Sequence, residues 1–341
     1  MSIVNNLGER IFIQATNPWA ATIPNTAGAA TVATADGLQH IAVNLRADSN
    51  GIKSRVKSGT LGRLADRRGY RNSSWSVTVP LQGSGTAGTR CDADALISAI
   101  FGHAGTVSAA TSVTFSLTAV NFGLTIWRFR DPAGTNIWNE VLVGGLADQW
   151  EINFGEEQEA ELTVSGPAVD VVDKPNLSAL VSASENFSLT SFPSEPTAPT
   201  FLGIPALAFI GALTINGVGS FQIQRGRLYG SMGRSLRQSF NSYSATVALN
   251  AERTIGFDFS LYEEDTANQA ALRYLSRTKG TFDTALALGN VAGNIHTFNI
   301  NNIAITAPEQ DSSGTESILP FSGTASITNA AASDEVAYIQ T

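Results

Sequence analysis

Two stretches that read alike lie far apart in this chain: NSSWSVTVPL at 72–81 and NSYSATVAL at 241–249. Trp75 answers to Tyr243, Ser76 to Ser244, Thr78 to Thr246, Val79 to Val247 and Leu81 to Leu249. Each follows a Gly- and Arg-rich segment, SGTLGRLADRRGYR in one case and GRLYGSMGRSLRQSF in the other. A second pair closes each half, LTVSGPAV at 162–169 against LPFSGTAS at 319–326. Two matches in the same order predict a unit built twice.

Within each unit the local pattern is that of strands. Strand-like runs appear at QHIAVNLR (39–46), SWSVTVPL (74–81), VTFSLT (113–118), FGLTIWRFR (122–130), IWNEVLV (137–143), DQWEINF (148–154) and AELTVSG (160–166), several of them alternating apolar and polar residues. The second half repeats the pattern in SFQIQRGR (220–227), SYSATVAL (242–249), IGFDFSLY (255–262), FDTALAL (282–288), IHTFNI (295–300), ILPFSGTASI (318–327) and EVAYIQ (335–340). That period of two marks half-buried strands. Each half also holds one helix-like stretch. DADALISAIFG (92–102) has Asp92 or Asp94 as cap and Gly102 as stop; DTANQAALRYLSRTKG (265–280) has Asp265 or Thr266 and Gly280. Between the halves, residues 173–200 hold Pro175, Pro193, Pro196 and Pro199 among many Ser and Thr. The expected organisation is therefore a first domain over 1–172, a linker over 173–200 and a second domain over 201–341.

Composition narrows the function. Only 15% of the 341 residues are charged and 43% are hydrophobic, a globular and not a disordered balance. Cys91 is the single cysteine, and His40, His103 and His296 lie far apart, so neither a disulfide framework nor a His/Cys metal site is expected. The start, MSIVNNLGERIFIQ, carries Glu9 and Arg10 where a secretion signal would be apolar. Residues 197–224 carry no charge, but their strongly apolar part, Phe201–Ile215, falls short of the ~20 residues a membrane helix needs. It is also broken by Gly203, Pro205 and Gly211, so buried strands are expected there and membrane insertion is not. A formal net charge of −8 argues against a protein that grips nucleic acid.

No constellation supports an enzyme. GSGTAG (83–88) fits a dinucleotide-binding fingerprint, but Thr89, Arg90 and Cys91 separate it from the helix. No acid lies between Asp94 and Asp131 to hold a ribose, so a Gly-rich turn is the simpler reading. Glu157, Glu159 and Glu161 in GEEQEAE read as a solvated strand face. The acids of YEEDT (262–266) suit a helix start. No Ser sits in a nucleophile elbow and no His lies near a nucleophile. No cofactor is expected.

The basic residues cluster. Arg46, Lys53, Arg55, Lys57, Arg63, Arg67, Arg68 and Arg71 fall in one long loop, and Arg225, Arg227, Arg234 and Arg237 in its counterpart. Such loops are either solubilising or dock onto acidic surfaces of another copy, where Arg forms bidentate carboxylate pairs. Arg55, Arg63, Arg67, Arg68, Arg225, Arg227, Arg234 and Arg237 are the candidate self-assembly residues.

SSWSVTVPLQGSGTAGTRCDADALISAIFG (73–102) resembles the strand-then-helix segment of tail tube proteins (major tail proteins) of long-tailed bacteriophages. LTIWRF followed by VLVGGLADQWEINFGEEQEAELTVSG (141–166) resembles the strands that come next. LYEEDTANQAALRYL, PEQDSSGTESILPFSGTAS and DEVAYIQ resemble the C-terminal part of the same proteins. The resemblance implies an all-β chain of two tandem β-sandwich or half-barrel domains, each with one flanking helix and a long loop. It implies self-assembly into stacked rings, by three chains with pseudo-sixfold symmetry or by six, forming the tube of a virion tail. Partners implied are other copies of the chain and tape-measure, tail-terminator and tail-tip proteins, with DNA passing through without specific binding. The resemblance and the net charge together lead us to expect an acidic channel. The alternative is a two-domain β-sandwich binding module for carbohydrate or adhesion, with Trp19, Trp127, Trp138 and Trp150 as candidate platform residues.

Overall fold

The computed structural model describes residues 9–20, 32–52, 67–130, 139–155, 158–174, 192–197, 201, 203, 205–206, 212–221, 223–238, 245–264, 266–306, 318–328 and 333–341. The fold is all-β, with large antiparallel sheets and two α-helices among these residues. The first half runs β1 (Arg10–Thr16), β2 (Gly37–Leu38), β3 (Ala42–Arg46), a hairpin of β4 (Ser49–Ile52) and β5 (Arg67–Arg71), β6 (Ser73–Pro80) and α1 (Asp94–Phe101). It continues through β7 (Thr106–Ser108), β8 (Ser112–Ser116), β9 (Gly123–Phe129), β10 (Glu140–Gly145), β11 (Gln149–Gly155), β12 (Glu161–Ala168) and β13 (Asp170–Asp173). The second half runs β14 (Ala212–Ile215), β15 (Gly219–Phe221), β16 (Arg225–Ser231), a hairpin of β17 (Arg234–Gln238) and β18 (Ala245–Asn250), β19 (Thr254–Tyr262) and α2 (Ala267–Thr278). It ends with β20 (Thr281–Leu288), β21 (His296–Ile305), β22 (Ile318–Ala325) and β23 (Val336–Gln340).

The two halves repeat one strand order. The order β13-β10-β9-β1-β2 in the first recurs as β23-β21-β20-β14-β15 in the second, and β12-β6-β3 recurs as β22-β19-β16. The closing sequence match falls on equivalent strands. Leu162, Ser165, Gly166 and Ala168 of β12 correspond to Leu319, Ser322, Gly323 and Ala325 of β22, each pairing with the strand that precedes its half's helix. The opening match does not. NSYSATVAL ends in β18, the returning arm of a hairpin, whereas SWSVTVPL is β6, whose counterpart is β19. Alternating Ser, Thr and Val satisfy both environments, so local sequence alone cannot separate the two strands.

The halves share one sheet and one core. β11 pairs with β16 along its whole length, from Gln149 opposite Ser231 to Gly155 opposite Arg225. β23 reaches back to β8, with Tyr338 opposite Phe115. A single hydrophobic cluster runs from Ile11 and Val77 through Phe101 and Trp150 to Phe257, Phe298 and Tyr338. Most of the linker expected over 173–200 lies outside the described residues. The final EVAYIQ is strand β23.

Both helices form as the patterns predict, with corrections at their ends. The α1 cap position is Ala93, not Asp92 or Asp94. Asp92 instead takes a hydrogen bond from Gln82 at 3.2 Å, and Gly102 ends the helix in the left-handed region. Thr266 caps α2, accepting from the Gln269 amide, while Lys279 and not Gly280 takes the left-handed position. Among its described residues, the uncharged run before residue 224 holds β14 and β15 and no helix. No helix among the described residues is long and apolar enough to cross a membrane.

Candidate functional site: an open sheet edge and a polar sheet face

Strand β3 is the outermost member of the 14-stranded sheet. It pairs with β6 on one side, Ala42 opposite Thr78 and Arg46 opposite Ser74, and with no strand on the other among the described residues. Val43 and Leu45, which point toward the core, are only partly buried, and Ile41 beside them is 53% exposed. An unpaired strand edge flanked by uncovered apolar side chains is a template for another chain.

From β22 across β19, β16, β11, β12 and β6 to β3, one face of the sheet packs on the core and the other carries polar side chains. On β16, Leu228 is buried while Arg225 and Arg227 are exposed; on β11, Trp150 and Ile152 are buried while Asn153 is exposed. Neighbouring strands align these positions, so the polar residues form rows. Arg227 pairs with Glu151 at 2.6 Å and lies over the Tyr229 ring at 4.6 Å. Ser322 donates to Asp258 at 2.6 Å, and Thr78 and Thr163 bond at 3.0 Å. Arg46, Arg225 and Arg227 share the face with Glu151, Glu161 and Asp258. A groove of about 940 Å³ lies at one end of this face, with Asn153, Arg225, Asp258, Thr306 and Ser322 in its walls.

The eight candidate arginines separate into groups. Arg55 and Arg63 lie outside the described residues, as do Lys53 and Lys57. Arg67 and Arg68 are on strand β5, the returning arm of the first hairpin, where a long loop was expected. Arg225 and Arg227 are not in a loop but on the polar face of β16. Arg237 is exposed on β17. Arg234 is buried at 4% exposure. Its guanidinium donates to the backbone carbonyls of Ala99, Ile100 and Ala147, and its amide donates to Asp148 Oδ1 at 2.6 Å. It thus serves the last carbonyls of α1, where a cation also complements the helix dipole. Burial lowers its pKa to about 10, and Asp148 opposes the shift. Arg71, at the base of the first hairpin, is likewise buried against Asp170. Neither Arg234 nor Arg71 is free to dock on a neighbour.

The other sequence candidates are structural. The turn containing GSGTAG packs against the second half, with the Gly85 amide donating to Gly293 O at 3.3 Å. Side chains at Gly83 or Gly293 would run into the opposing backbone, so these glycines serve close packing. Glu157 lies outside the described residues; Glu159 is exposed beside β12, and Glu161 is on the polar face. Trp127 and Trp150 are core residues, Trp19 donates to Gly144 O at 3.0 Å, and Trp138 lies outside the described residues. Hence Trp127 and Trp150 offer no platform to a glycan. The described residues hold no cluster of three or more metal-ligating side chains.

One buried titratable group lies where the halves meet. His296 on β21 is fully buried, its Nδ1 2.6 Å from the Tyr338 hydroxyl. Burial holds its pKa down to about 3, so the ring is neutral near pH 7. Burial likewise pushes the Tyr338 hydroxyl well above its usual value and Cys91 up to about 12.

The edge position of β3 is not distinguishable in the sequence from that of other strands. The one signal is the spacing of Gly226 and Gly230 in GRLYGS, both on the buried side of β16. The chain matches no model of a known protein family. It matches no curated protein sequence.

Proposed function

We propose that this protein is the subunit of a self-assembling tube, the tail tube of a long-tailed bacteriophage virion. The observation that carries the reading is the joint between β11 and β16: one repeat already takes the edge strand of the next, and β3, the counterpart of β16, has no partner on its outer side among the described residues. A unit that joins to its own copy head-to-tail generates a closed ring or an open filament. In the first half four strands, β3, β6, β12 and β11, lie side by side in the joined sheet, and the resemblance implies about four for each repeat. Six repeats, supplied by three chains, give roughly 24 strands at ~4.8 Å each, a circumference near 115 Å and, before tilt, a backbone diameter of about 37 Å. Duplex DNA passes through such a bore.

The polar sheet face is the proposed lumen wall. It is not the acidic wall expected from the net charge. Three arginines and three carboxylates share it, and Arg227 is held by Glu151. Paired cations release few counterions to phosphate, so DNA slides along such a wall without binding tightly. Rings stack through the hairpins β4–β5 and β17–β18, with Arg67, Arg68 and Arg237 as the remaining described candidates for contact with a neighbour. Tape-measure, terminator and tip proteins complete the tail by the resemblance. Electron microscopy of the concentrated protein tests the reading: rings or tubes several nanometres across support it, and monodisperse single chains at every concentration overturn it.

A further inference from the structure

We infer that the groove at the end of the polar sheet face is a phosphate-binding site, with the Arg225 guanidinium as its anchor. The site stands on the geometry of the single chain; its place on a lumen wall rests on the tube reading above. The strand registers set its floor. Gly155 of β11 lies opposite Arg225 of β16, Arg225 opposite Ser260 of β19, and Ser260 opposite Pro320 of β22. In the next row of the same face, Asn153, Arg227, Asp258 and Ser322 stand in line. Gln158, whose amide donates to Gly155 O at 3.4 Å, closes the groove beside Arg225.

The other charges of the groove are already engaged. Arg227 is held by Glu151 at 2.6 Å and by the Tyr229 ring below it. Asn153 donates to the same carboxylate at 2.9 Å. Asp258, diagonal to Arg225, accepts from Ser322 at 2.6 Å. Arg225 is exposed and forms no ion pair among the described residues. Its cross-strand neighbours, Gly155 and Ser260, put neither bulk nor negative charge directly opposite it. An arginine fork takes two oxygens of an oxyanion at once. The Ser260 hydroxyl and the Gln158 amide add donors that a tetrahedral phosphate uses and a planar carboxylate does not. No ring of the groove is free to stack a base: Phe154, Phe259 and Phe321 are buried, and Tyr229 lies between Gly256 and Arg227. The site therefore takes the phosphate group alone, as the free ion or as a diester of a nucleic-acid strand, without reading sequence. Traced through β6 and β19, Ala42 on β3 holds the place of Arg225, so the first half lacks the anchor. In the proposed ring the site occurs once per chain, too sparsely to arrest a passing duplex.

The test titrates the isotope-labelled full chain with inorganic phosphate and, separately, with dimethyl phosphate at constant ionic strength, following the arginine Nε–Hε signals by NMR. The one signal that Arg225→Gln removes should shift saturably. By backbone signals, that variant should bind about tenfold more weakly or worse, while Arg237→Gln, outside the groove, should bind as the unsubstituted protein does. Saturation by dimethyl phosphate assigns the site to a diester; saturation by inorganic phosphate alone assigns it to the free ion. A response that never saturates, an Arg225→Gln protein that binds normally, or an equal response to acetate overturns the site. A titrating groove in a chain that never forms rings keeps the site and overturns its place on a lumen wall. Rings whose groove is silent overturn the site and leave the tube reading standing.

Discussion

The two edge strands β16 and β3 occupy the same place in the repeat and have opposite fates. β16 is covered by β11, its glycines filled by Phe154 and Trp150, and the clamp of Arg234 follows it. β3 has no partner on its outer side among the described residues, with Val43 and, just past its end, Ala47 where β16 has glycines, and Gly51 where β16 is followed by Arg234. The helices differ in the same sense. Every residue from Leu96 to Phe101 of α1 is buried, and Phe101 packs on Phe115, Trp150 and Tyr338 from both halves. On α2, Tyr274 is 67% exposed. A duplicated fold does not make two equal joints. A few substitutions at equivalent positions separate a covered edge from one that the proposed assembly would use between copies.

The largest way to break this difference is Arg234→Ala. It leaves three buried carbonyls without a donor and should cost about 3–5 kcal/mol of unfolding free energy, read by denaturant titration. A loss under about 1 kcal/mol would show that Arg234 is not a clamp. Acid acts on the same joint through His296. The folded pKa, near 3, lies below the unfolded value of 6.5, so the unfolded chain takes up the proton first. Stability from this group is complete above about pH 6.5 and declines as pH falls toward 3. The slope is about 1.4 kcal/mol per pH unit, or roughly 2.7 kcal/mol by pH 4.5. Denaturation curves of the protein and of His296→Gln between pH 7 and 4.5 should converge in their pH dependence only if another group is responsible.

Gly230→Ala fills the notch over Trp150 and should cost about 1–3 kcal/mol, whereas Ala47→Ser at the equivalent bare position should stay within about 0.5 kcal/mol in the single chain. Equal thermal shifts for the two would erase the distinction between the edges. Tyr274→Ser should change chain stability least, within about 0.5 kcal/mol. A larger drop in melting temperature would mean that the Tyr274 side chain is packed in the isolated chain after all.

Much of the architecture was legible in the sequence because period-two alternation, caps and glycine stops are local signals. The all-β class, the helix at 94–101 and the match of LTVSGPA with LPFSGTA depend on such signals. The pairing of NSSWSVTVPL with NSYSATVAL misled for the same reason: a hairpin arm and a sheet strand carry the same alternation. The role of Arg234 was out of reach, since one arginine in a basic segment reads as exposed until the end of α1 is placed beside it. The even charge of the polar face was also hidden, because net charge says nothing of which strand face a carboxylate occupies.

The central claim, that the chain is two repeats joined once inside and once between copies, is tested most directly by native mass spectrometry of the assembled ring. The account predicts a closed species of three chains of 35.8 kDa each. A ring of six chains, or a single chain under all assembly conditions, would contradict it.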